Sequence, residues 1–115
     1  MAAENSTYKD YEDCLSTLVR MGSNKQDIIE LLDHEKEHFE KAVELGYKPK
    51  YGIRMVPDAP PLVIAGYIDF EGKVPEGQDM IDILLAPKQP GPDDLNLAEK
   101  IQAELRQLGK RQPGK

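Results

Sequence analysis

The sequence predicts an α+β fold in the order α-α-β-β-β-α: an N-terminal helical hairpin, a three-stranded antiparallel sheet and a C-terminal helix. Three observations carry that prediction. Apolar residues recur every three or four positions as far as Leu45, the residue pattern turns strand-like from Tyr51, and helical spacing returns beyond a proline-rich spacer, Pro87 to Pro92.

The first helix is expected from about Tyr8 to Met21, on the spacing of Tyr8, Tyr11, Leu15 and Leu18, with Asp10, Glu12 and Asp13 in its early turns. Gly22 offers a left-handed stop. Ser23 and Gln26 have the spacing of a capping box, so a second helix should follow at once, from about Asn24 to Leu45, and end at Gly46. Strands are expected over Tyr51–Val56, Leu62–Phe70 and Met80–Ala86, all rich in Ile, Val or Leu. Pro57 to Pro61 and Glu71 to Asp79 are the connections between them. In the last helix Asn96 and Glu99 fit another capping box, and Leu97, Ile101, Leu105 and Leu108 form one stripe.

A chain of 115 residues has the length of one domain. Residues 1–109 are read as that domain and residues 110–115 as a flexible basic tail. Five tyrosines, two phenylalanines and no tryptophan leave the core to aliphatic residues. The net charge of −6 argues against a nucleic-acid partner, because phosphate binding needs clustered cations. The corner at Gly22-Ser23 resembles a helix-turn-helix, but the would-be recognition helix, Asn24 to Gly46, carries seven acidic residues against three lysines. The single cysteine, Cys14, forms no internal disulfide and reads as inert packing. The start of the chain lacks the basic and apolar regions of a signal peptide, and no apolar run is long enough for a bilayer, so a cytoplasmic protein with no membrane partner is expected.

The residues with the most chemistry lie together in the second helix, as His34-Glu35-Lys36-Glu37-His38. Both histidines of the chain are here, four apart and therefore on one helix face. On a helical wheel Ile28, Leu32, Phe39 and Val43 cluster on one side, and Glu35 falls inside that apolar arc. His38 lies at its edge, and His34 one step nearer water. A carboxylate in an apolar stripe is costly unless a cation or donor neutralises it. Glu35 is therefore expected to be buried with His38 as its first partner, and Phe39 to be a core anchor.

The string has the H-E-x-x-H form and resembles the metal-bearing helix of zinc metalloproteases. It departs from that pattern at Lys36 and Glu37, which are charged where the family has uncharged residues. No further histidine exists for a third ligand, so an Asp or Glu would have to serve. The segment Glu30 to Ala42 also resembles the metal-bearing helix of rubrerythrin-type ferritin-like proteins, through Glu35 and His38. Those bundles need four long helices and a second Glu-x-x-His, and this chain has neither. Against both stands a solvated face laced by pairs such as Glu30–His34 and Lys36–Glu40.

Asp82, flanked by apolar residues, is a further ligand candidate. The candidate metal set is thus Glu35, His38, His34 and Asp82, with zinc or iron as the ion. Both faces of Leu62 to Ile68 are apolar, which points to a protein partner, a second copy of the chain first. A small non-enzymatic assembly or interaction domain is the leading expectation. The alternative is a transition-metal-binding protein built on the His34–His38 segment, with metal-dependent hydrolysis as its chemistry.

Overall fold

The computed structural model describes residues 2–110; of the tail expected over residues 110–115, Lys110 ends the last helix and residues 111–115 lie outside the described residues. The class is α+β, with four helices beside a three-stranded antiparallel sheet. The elements are β1 (Glu4–Tyr8), α1 (Tyr11–Arg20), α2 (Lys25–Glu44), β2 (Pro49–Val56), β3 (Leu62–Phe70), α3 (Gly77–Leu84) and α4 (Pro92–Lys110). The sheet order is β1-β2-β3, with Tyr8 opposite Tyr51 and Tyr51 opposite Ile68.

The third strand comes from a different place than expected. Met80–Ala86 is not a strand: Gly77–Leu84 is helical, and the sheet is completed by Glu4–Tyr8. A short apolar run bounded by turn residues fits a buried helix as well as a strand, since periodicity does not separate the two. Ile81 and Ile83 are both buried here although they are two apart, because α3 is covered on more than one side. The missed strand, Glu4-Asn5-Ser6-Thr7-Tyr8, has little apolar character of its own. Its partner supplies the pairing, from Glu4 opposite Met55 to Tyr8 opposite Tyr51.

Helix ends follow local chemistry. Asp10 caps α1 by accepting from the Asp13 N–H at 2.8 Å, so the helix starts three residues later than expected and Tyr8 is left to the sheet. Asn24, not Ser23, caps α2, accepting from the Asp27 N–H at 3.1 Å. Gly22 and Gly46 follow α1 and α2 with φ of +104° and +92°, a region that disfavours side chains. The last helix begins at Pro92 rather than near Asn96, with proline in the first turn where its missing N–H costs nothing.

The core lies between the α1–α2 hairpin and one face of the sheet. Cys14 and Leu18 of α1, Ile28 and Leu32 of α2, and Tyr51, Ile53 and Met55 of β2 form it. Phe39 packs against this cluster and stacks on Tyr51 with ring centroids 4.6 Å apart and planes 4° from parallel. On the opposite face Tyr67 lies over Gly52, where any Cβ would collide with its ring. Ile64 occupies an irregularity in the β2–β3 pairing, and it and Leu62 are exposed. Among the described residues no helix is long and apolar enough to cross a membrane.

Candidate metal centre

α2 carries three of the four side chains of the site. Its turn spacing puts His34 and His38 on one face, ring centroids 5.1 Å apart, with Glu35 beside them. One donor atom from each of His34, Glu35 and His38 can be chosen so that all lie within 4.8 Å of one another. Glu35 and His38 are buried, at 8% and 5% exposure, whereas His34 is partly open to solvent.

Room for Glu35 is made by the sheet. A Cβ at Gly66 of β3 would stand 3.2 Å from Glu35 Cγ and equally close to Leu31. The glycine lets α2 settle onto the strand at the level of its carboxylate, which is the close approach that a mid-strand glycine signals.

The fourth side chain is Asp94, from the first turn of α4. Gly91-Pro92-Asp93-Asp94 starts that helix so that the Gly91 N–H donates to Asp94 Oδ2 at 3.1 Å, holding the carboxylate in place. The same oxygen lies 3.3 Å from His34 Nε2 and 3.2 Å from His38 Nε2. α3 contributes a backbone group: His38 Nδ1 is 2.7 Å from the carbonyl oxygen of Ile83. A carbonyl can only accept, so Nδ1 carries a proton and donates. In the neutral ring Nε2 then bears the lone pair.

Burial pushes the Glu35 carboxyl above its ordinary value. His38 and then His34 pull it back, and the Asp94 carboxylate reinforces the rise.

The arrangement matches a coordination shell in spacing. Zinc bonds of 2.0–2.1 Å at tetrahedral angles separate neighbouring donors by about 3.3–3.4 Å. Both Nε2–Oδ2 distances are close to this, and longer than the ~2.7–2.9 Å of a good charge-assisted hydrogen bond. A bond donated to a backbone carbonyl, as from His38 to Ile83, is the kind of outer contact that orients imidazoles in metal sites. His34, Glu35 and His38 are the group spaced to hold an ion, and Asp94 stands against both imidazoles at its edge.

Of the four expected ligand candidates, His34, Glu35 and His38 come together. Asp82 stands apart on α3, accepting from Gln78 Nε2 at 2.9 Å one turn earlier. Asp94 was missed. Gly91-Pro92 is a readable helix start, and from it Asp94 could have been placed in the first turn. Its meeting with residues some sixty positions earlier depends on how α3 and α4 fold back on α2. No family model, curated protein or solved structure matches the chain.

Proposed function

We propose that the protein binds one divalent transition-metal ion, zinc first, through His34, His38 and Asp94, with Glu35 alongside. One observation carries this reading. The lone pair of neutral His38 faces the Asp94 carboxylate at 3.2 Å, and His34 Nε2 converges on the same oxygen at 3.3 Å. Two acceptors at that distance need a cation or a proton between them. A single divalent ion satisfies both imidazoles and the carboxylate at once; without one, His34 can donate to Asp94 as a neutral ring, but His38 meets it only by taking a second proton. Nitrogen and carboxylate donors suit zinc, iron and nickel, and the tetrahedral spacing favours zinc.

The test is a zinc titration of the untagged full chain, by calorimetry and by thermal melting. One equivalent should bind at micromolar affinity or better. At free zinc about 100-fold above Kd, stability should rise by about 2.7 kcal/mol, because only the folded chain assembles the donors. Affinity should fall as the pH is lowered, since protons compete for the imidazoles. His38→Ala should remove the effect. A melting temperature unmoved by zinc, iron or nickel would end the reading.

A second reading, self-association, is supported by a separate observation. Leu62 and Ile64 on the edge strand β3 are 63% and 53% exposed, a pair of large apolar groups beside unpaired backbone. Sedimentation should then give a dimer that Ile64→Lys converts to monomer. A monomer at hundred-micromolar concentration would remove this reading and leave the metal site untouched.

A further inference from the structure

We infer that the cavity beside the cluster takes the alkyl body of a short aliphatic acyl compound whose oxygen head group reaches the metal, an inference that rests on the metal reading above. The cavity measures about 280 Å³, opens to solvent on one side, and is lined by three elements that converge on α2. Ile68 and Phe70 of β3, Met80 and Leu84 of α3, and Leu97 of α4 line it, while Glu35, His38 and Asp94 line it too. Apolar walls meeting one cluster of polar side chains are the usual form of a small-ligand site.

Size and charge narrow the occupant. At about 280 Å³ the space lies at the small end of ligand sites, which favours a small body over a nucleotide or a disaccharide. No lysine or arginine is among the lining residues, and Glu35 and Asp94 repel free anions, so a phosphate has nothing to hold it. Hydroxyl groups along the body of a sugar would meet Ile, Phe, Met and Leu side chains and lose their hydrogen bonds to water. A chain of about six carbons fits the walls. An oxygen head group is then drawn to the ion, and the Glu35 carboxyl stands beside it as hydrogen-bond partner.

The experiment uses the full-length, zinc-loaded protein and three hydroxamates that share one head group: acetohydroxamate, hexanohydroxamate and dodecanohydroxamate. Each buried methylene strengthens binding about fourfold. Hexanohydroxamate should therefore bind at least tenfold more tightly than acetohydroxamate, and dodecanohydroxamate should add little, its tail projecting into water. Leu84→Trp should fill the cavity, abolish the chain-length effect and leave zinc affinity within about twofold. Leu97→Trp, at an exposed position on α4, closes the same space without touching the buried core and should do the same. Equal binding of the two- and six-carbon compounds by the zinc-loaded protein would overturn the inference while the metal reading stands. A chain-length effect that persists unchanged in both variants would place the alkyl group elsewhere and overturn it as well. A chain that takes up no zinc in the first titration overturns both readings before any hydroxamate is added.

Discussion

The two sides of α2 are covered to different degrees. Toward α1 and the sheet the helix meets Leu18, Tyr51 and Ile53, and that interior is filled by buried side chains. Toward α3 and α4 it presents His34, Glu35 and His38, and the neighbouring layer is thinner. Ile81, Ile83 and Ala98 are buried there, but Leu97, Leu105 and Leu108 of α4 are 42%, 37% and 54% exposed. The first side holds the fold by apolar burial. The second has fewer buried apolar groups and carries the polar cluster, so most of the apolar burial and the candidate site lie on different faces of one helix.

Replacing Ile53 with Ala should be the most damaging change, because the side chain is wholly buried at the centre of the filled side. The expected loss is about 3–4 kcal/mol in a urea titration. A loss below about 1 kcal/mol would erase the contrast between the two sides.

Asp94→Asn tests the other side. Zinc affinity should fall about 100-fold or more, equivalent to roughly 2.7 kcal/mol, since a neutral amide is a poor replacement for a coordinating carboxylate. Without zinc, the urea midpoint should move little. A variant that melts early in the absence of metal would show that this contact supports the fold itself.

Alkaline pH should weaken the filled side next. Burial, with Asp13 adding to it, pushes the Cys14 thiol up to about 12. Burial likewise raises Tyr51, with Glu40 adding to it. Such groups keep their protons in the folded chain while the unfolded chain releases them, so stability is fully present below about pH 9 and falls as pH rises. By pH 10 the loss should be about 1–2 kcal/mol, read from urea midpoints at pH 8, 9 and 10. A flat profile would mean that these groups meet water in the folded state. Leu108→Ala, on the thin side, should come last, changing stability by less than about 0.5 kcal/mol.

The same contrast explains what was legible in the sequence. Glu35 could be placed in the interior from its position among Ile28, Leu32 and Phe39, because a helix face is a local property. The corner at Gly22 and the strand Leu62–Phe70 were readable for the same reason. The strand Glu4–Tyr8 was not, since its polar residues are held by the backbone of β2 rather than by their own pattern. Met80–Ala86 took the wrong form because a run covered on several sides has no exposed face to reveal its period. Asp94 joins the site only through tertiary folding, and neither its neighbours nor its spacing carries that information.

Asp94 sits near one end of a long, stiff rod. From that residue to Lys110 the helix extends about 24 Å, at 1.5 Å per residue, and along its distal part Leu105 and Leu108 are exposed. The candidate site therefore lies at the short arm of a lever. A turn of about 10° at the carboxylate sweeps the far end through roughly 4 Å, close to the diameter of a methyl group. On the metal reading proposed above, a small change at the centre would be magnified at the tip, where a fluorophore or spin label would register it as displacement.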